Sequence, residues 1–233
     1  MIVAERKPIK QILEMIEPYS KVAVIGCRGC VAICSAGGDR EVEILSAALR
    51  LARKNNGKPL ETIEKTLVRQ CDPEYLTPLA KLKDQVEAAI SLACGVGVNL
   101  ASDLYPDIKI YPGVNTTFYG ANPALGKWEE MCRGCGDCIL DLTGGICPIA
   151  RCAKNLLNGP CGGSQNSRCE IDPDTPCVWQ LIYDRLKARG ELEKLAKIWA
   201  PKNWIPAGYG GPRKRERPDL EINNKSKHSG GVK

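Results

Sequence analysis

Residues 21–34 read KVAVIGCRGCVAIC, and this run decides the fold. Its first six residues are nearly unbroken apolar and β-branched and end in Gly26, as in a strand buried on both faces of a parallel sheet. Cys27, Cys30 and Cys34 follow at once. Downstream, SAGGDREVEILSAALRLARKN brings Val42, Leu45, Leu49 and Ala52 to one helical face, with Asp39 as a candidate cap and Gly57 as a stop. The unit is strand, cysteine loop, helix. It recurs without a strict repeat. TLVRQ at 66–70 predicts a second strand leading into Cys71, then a helix opened by Asp72 and Pro73 and running to Lys83. AAISLA at 88–93 predicts a third strand, leading into Cys94 and then GVGVNLASDLY as turn and helix, and DIKIYPG at 107–113 is a candidate fourth. Such alternation implies a parallel sheet with right-handed crossovers, whose ligands gather beyond the carboxyl ends of the strands. Cys27, Cys30, Cys34, Cys71 and Cys94 are therefore expected to meet at one edge of a small, Rossmann-like α/β domain.

Upstream, KPIKQILEMIE sets Ile9, Ile12, Leu13 and Ile16 on one face before Pro18, a packing or docking helix. Downstream, residues 114–127 carry turn signals and mark a boundary. The expected division is an α/β domain over 1–126, a cysteine-rich domain with C-terminal helices over 127–200, and a basic tail over 201–233. Cys71 or Cys94 alone would be an ordinary small core residue, but their shared place after strands argues for ligands. Gly37 with Gly38, or Gly95 with Gly97, could cradle a phosphate, yet neither pair completes a dinucleotide fingerprint or a P-loop.

The second domain opens with MCRGCGDC at 131–138 and continues to Cys177, holding eight of the thirteen cysteines. Cys132, Cys135 and Cys138 repeat a two-residue spacing that lets three thiolates converge on a glycine-bearing loop, the entry pattern of a ferredoxin-like iron–sulfur site. Zinc ribbons more often offer two separated knuckles. A bacterial ferredoxin run would place its next cysteine three residues on, before a proline. Here Cys147-Pro148 comes later, leaving Cys147, Cys152 or a more distant residue as the fourth ligand. Cys161, Cys169 and Cys177 suit a second metal. PIARCAKNLLNG predicts a short helix from Pro148, with Cys152 on it and Gly159 past its end; CVWQLIYDRLKARG and ELEKLAKIWA predict two more.

The chain starts without an apolar signal region and has no stretch of membrane-spanning length, so a cytoplasmic protein with reduced thiols is expected rather than a disulfide scaffold. A formal charge of +6 suggests nucleic acid, but eight Lys and Arg against three acids beyond Pro201 supply +5 of it, leaving a nearly neutral body. The lone histidine, His228, lies in that tail, which excludes histidine-centred catalysis and His-rich metal sites. The tail is too rich in Pro, Gly, Lys and Arg to order itself, although Trp204 and Tyr209 offer anchors to a partner.

The run from CRGCGDC through LTGGICPIARCAKNLLNGPCGGS to WQLIYDRL resembles the C-terminal module of the small subunit of methylenetetrahydrofolate reductases from acetogenic anaerobes. GCxxCxxxC, SAGGxxE, RQCDPE and LACGVGVN are similar to the rest of that subunit, and together the resemblance covers residues 20–190. It implies a non-catalytic iron–sulfur and zinc subunit that passes electrons to the flavin of a separate large barrel subunit, which makes methyltetrahydrofolate in the Wood–Ljungdahl one-carbon pathway. A ferredoxin or another electron-donating complex would be the donor. All thirteen cysteines carry over as metal ligands. Two [4Fe–4S] clusters and one zinc need twelve. The expected split is iron for Cys27, Cys30, Cys34, Cys71, Cys94, Cys132, Cys135 and Cys138, and zinc for Cys147, Cys152, Cys161, Cys169 and Cys177. The rival reading is a zinc-stabilised scaffold without a redox role.

Overall fold

A computed structural model describes residues 1–208, 211–217 and 219. His228, Tyr209 and most of the basic tail lie outside the described residues.

Two sheets organise the chain. The first is wholly parallel, formed by β2 (Lys21–Cys27), β3 (Glu61–Leu67), β4 (Ala88–Ser91) and β5 (Ile110–Pro112) in the order β3-β2-β4-β5. The second is antiparallel, with β6 (Val114–Ala124) between β1 (Ile2–Arg6) and β7 (Lys127–Cys132). Residues 114–127, expected as a boundary of turns, are thus mostly strand. Their Thr and Asn residues sit exposed on an antiparallel ribbon, which can face water on one side. The expected division at 126/127 falls in the turn of the β6–β7 hairpin.

Strand alternation explains the double core of the parallel sheet. Val22, Val24, Ala88 and Ile90 face one cluster, built with Ile12, Ile16, Val42, Leu45 and Leu49 of the helices α1 (Ile9–Met15) and α3 (Asp39–Asn55) and their flanks. Ala23, Ile25 and Ala89 face the other, with Leu76 and Leu79 of a 3-10 segment at Pro73–Lys81 and Ala101 of α4 (Gly95–Leu104). Burying both faces of β2 and β4 is what their apolar runs predicted. The second strand lies earlier than expected, at 61–67 rather than 66–70. As an outer strand, ETIEKTL interleaves exposed Glu and Lys that hide its β character. Between it and Cys71 lies a three-residue link, Val68-Arg69-Gln70.

The C-terminal part has a small core of Ile146, Cys177, Val178, Trp179, Ile182 and Leu186, around α6 (Val178–Arg189). Gly190, left-handed at φ 69°, stops α6 as expected. Two expected helices shrink to single turns, α5 (Pro148–Arg151) and α7 (Glu193–Ala196). Cys152 caps α5 instead of riding on it, in extended backbone, and Asn155 turns left-handed at φ 53°. No helix among the described residues is long and apolar enough to cross a membrane.

Candidate metal centres

The order β3-β2-β4-β5 places a topological switch point between β2 and β4: the chain leaves β2 for β3 on one side and β4 for β5 on the other. A crevice outside the carboxyl ends is expected there. Cys27 ends β2, and Cys94 precedes α4 just beyond β4. Cys71 follows β3 on the same edge.

Burial pushes the Cys27 thiol up. Backbone N–H groups of Gly29 and Gln70 pull it back, and nearby Cys71 and Cys94 raise it further. Cys71 and Cys94 each therefore lie close enough to act on Cys27. Cys30 begins the one-turn helix α2 (Cys30–Ile33). Cys34, grouped with these ligands on the sequence, is held by the other sheet. Its sulfur accepts from the Ala4 N–H of β1 at 3.4 Å, lies 3.6 Å from the Val31 carbonyl, and faces a cavity shared with Phe118 and Trp128. Its thiol is raised mainly by burial, with Cys30 a smaller cause.

The residue that ties this edge together is Gln70, only 1 % exposed. Its amide donates to the carbonyls of Ile25 at 3.2 Å and Gly26 at 2.9 Å, while its oxygen accepts from the Ser91 hydroxyl at 2.7 Å. Ser91 in turn accepts from the Ala93 N–H at 3.2 Å. One buried side chain, immediately before Cys71, thus pins the strand ends that deliver Cys27 and Cys94. Sequence reasoning passed it over, and the only signal was a polar residue at the end of the RQC run. Of the glycines weighed as a phosphate cradle, Gly37 and Gly97 serve close packing. A Cβ on Gly37 would lie 2.0 Å from the Leu92 carbonyl, and one on Gly97 2.8 Å from the Gln70 Cβ.

The eight later cysteines divide. Cys132 ends β7 and leads into a loop in which Gly134 (φ 61°) and Gly136 (φ 79°) take left-handed backbone between Cys132, Cys135 and Cys138. The Gly134 N–H donates to the Cys132 sulfur at 3.3 Å. Cys147 caps α5, which packs against β7, the strand that ends in Cys132, and also against α6, which Cys177 caps. Cys152, Cys161, Cys169 and Cys177 line a single cavity of about 20 Å³, room for roughly one small ion or water. Left-handed Asn166 and Ser167 turn the chain so that Cys169 donates to Thr175 and Cys177 to Ser167 through their backbone N–H groups. Burial works to raise the Cys177 thiol. The Ser164 hydroxyl and the N–H groups of Gln180 and Trp179 outweigh it and leave the thiol below its ordinary value. The Cys161 thiol lies 3.3 Å from Glu170, whose carboxyl is held low first by Lys154 and then by Cys161.

Among the described residues no three Cys, His, Asp or Glu side chains converge closely enough to hold an ion as they stand. The sets rest on shared edges, linings and mutual electrostatics. All thirteen cysteines are unpaired. Donor chemistry in each set, soft sulfur with N–H groups aimed at it and no imidazole within the described residues, fits a thiolate-bound zinc or iron–sulfur group.

This is a mixed α/β chain that gathers thiols at strand ends and turns. Residues 111–205, which include all eight later cysteines, match the family described as methylene-tetrahydrofolate reductase C terminal, relating that part of the chain to methylene-tetrahydrofolate reductases. Neither a curated protein nor a solved structure matches the chain.

Proposed function

We propose that the chain is an electron-transfer subunit that serves a flavin-bearing methylenetetrahydrofolate reductase subunit. The observation that carries this reading is the gathering of thiols in three places, Cys27 with Cys71 and Cys94, the loop of Cys132, Cys135 and Cys138, and the cavity of Cys152, Cys161, Cys169 and Cys177; to these we assign Cys30 and Cys147 as fourth ligands, leaving Cys34 outside. Cys27, Cys30, Cys71 and Cys94 form the first set, at the switch point. Cys132, Cys135, Cys138 and Cys147 form the second, and Cys152, Cys161, Cys169 and Cys177 the third. Bound at these sets, iron–sulfur clusters would supply one-electron transfer and zinc a cross-link that adds folding energy.

Exposure and packing support a division of labour. Every set has at least one exposed thiol, Cys71 in the first, Cys132 and Cys138 in the second and Cys161 in the third, and the second opens most toward a docking partner. The third differs in lining one cavity of about 20 Å³ and in sharing buried Cys177 with a core of only six buried side chains, too few to hold the region firmly by packing alone. We therefore assign iron to the first two and structural zinc to the third. This moves Cys147 from zinc to iron and leaves Cys34 without a metal. The chain's own part is to hold thiolates, aim N–H groups at sulfur, and limit water, which together set potentials. Carbon chemistry is left to the flavin subunit, and a reduced ferredoxin or similar one-electron carrier is the donor.

Anaerobic visible and electron paramagnetic resonance spectra before and after dithionite test this, alongside a folate-reduction assay of the chain alone. The expected result is a brown protein that bleaches, gives a reduced-cluster signal, and does not reduce the folate. A colourless protein holding only zinc would replace the redox role with a scaffold, and folate reduction by the isolated chain would contradict the assignment outright.

A further inference from the structure

The segment after α7 lies across the loop that carries Cys132, Cys135 and Cys138. The Lys202 ammonium, 3 % exposed, donates to the Asp137 carbonyl and lies 3.4 Å from the Asp137 carboxylate. That carbonyl also accepts from the Cys135 thiol, at 3.6 Å. Lys202 further stands over the Trp204 ring at 5.4 Å. Pro206 fills the space beside Gly136, where a Cβ would come within 2.5 Å of it. Arg213 closes the arrangement, donating to the Gly134 carbonyl at 2.7 Å and to the Pro206 carbonyl at 2.9 Å. The carbonyls on either side of Cys135 thus each receive a cationic donor from residues outside the cysteine-rich run. Lys202 offsets Asp137. Among the described residues Arg213 meets only carbonyls, so its full charge stays beside the loop.

We infer that residues 202–208 and 211–213 form a strap that belongs to the second metal site, and that Lys202 and Arg213 are positioning residues that raise its reduction potential. This rests on the iron–sulfur reading of that site. Uptake of one electron there, from a one-electron reductant, adds one negative charge; the Arg213 cation favours that state, and Lys202 cancels the opposing charge of Asp137. Net charge, hydrogen bonding and solvent exposure are the levers by which protein surroundings set such potentials. A cation held by two backbone carbonyls also fixes the loop, since each charge-assisted bond is stronger than a neutral one.

The test is a dithionite titration of the full chain followed by electron paramagnetic resonance, comparing the unaltered protein with Arg213→Gln, Arg213→Lys and Lys202→Met. Arg213 is exposed, so its variants keep the fold even if the buried Lys202→Met does not. Arg213→Gln is expected to shift one reduced-cluster signal to lower potential and to speed tryptic cleavage after residue 202, leaving the other signal and the iron count unchanged. Arg213→Lys, which keeps the charge, is expected to restore the potential. Equal potentials in all variants, or a drop in Arg213→Lys as large as in Arg213→Gln, would overturn the inference while the clusters themselves stood. An unaltered chain without iron would instead overturn the reading on which it rests.

Discussion

Gln70 shows how much one buried side chain can decide. Three hydrogen bonds, to two carbonyls and a hydroxyl, hold its side chain, while its own N–H is aimed at Cys27 and its neighbour is Cys71. Gln70→Leu keeps the volume but leaves the Ser91 hydroxyl and the Gly26 carbonyl without their partner, at a cost of about 2–3 kcal/mol. The expected outcome in denaturant unfolding is that loss, together with loss of iron from the first set alone. Gln70→Glu restores an acceptor for Ser91 but no amide donor for the carbonyls, so it should recover only part of the iron. Intact metal content and spectrum in Gln70→Leu would show that the strand ends hold their register without it. The cysteines stood out in the sequence as candidate ligands because thiols outnumber any packing need. Gln70 was not, since its role depends on two other strand ends that only the fold brings near.

Legibility of the elements follows their surroundings. β2 and β4 are buried on both faces and announce themselves as apolar runs, and α3 shows a clean apolar stripe. β1 and β6 pair across almost the whole N-terminal part of the chain, and β6 carries polar residues toward water, so no local pattern marked the second sheet. The shortened α5 and α7 reflect turns set by left-handed residues and cysteine caps that helical periodicity does not report. Where elements meet, Arg53 in the last turn of α3 is the main polar fastener. Its guanidinium, buried with the residue 7 % exposed, donates to the carbonyls of Ile16, Glu17, Tyr19 and Lys58 at 3.0–3.1 Å. It thereby satisfies the end of α1 and the turn into β2. Arg53→Met should cost about 3 kcal/mol, read as a lower midpoint in urea with an unchanged slope. A shift under about 0.5 kcal/mol, the range of an ordinary surface change, would mean that water serves those carbonyls equally well.

On the scale of the molecule, the chain is a parallel sheet and a hairpin-bearing second sheet, followed by a cysteine-rich part whose core is too small to stand without help. The charge that the sequence concentrates beyond Pro201 begins to make sense in the strap, where Lys202 and Arg213 reach the loop of Cys132 to Cys138. The expectation of a tail without order does not describe residues 202–208 and 211–213, because it counted apolar burial and not the loop carbonyls that bind cations. The late cysteines stood out as a candidate metal-binding group, but the spacing left Cys147 open between sites, and α5, which it caps, packs against both β7 and α6.

The central claim is that twelve cysteines form three independent sets and Cys34 stands apart. Iron and zinc counted per chain on the unaltered protein and on Cys34→Ala, Cys71→Ser, Cys135→Ser and Cys161→Ser test it most directly. The account predicts full metal content for Cys34→Ala, loss of one iron cluster each for Cys71→Ser and Cys135→Ser, and loss of zinc with iron retained for Cys161→Ser. Metal loss in Cys34→Ala equal to that in Cys71→Ser, or loss of iron in place of zinc in Cys161→Ser, would contradict it.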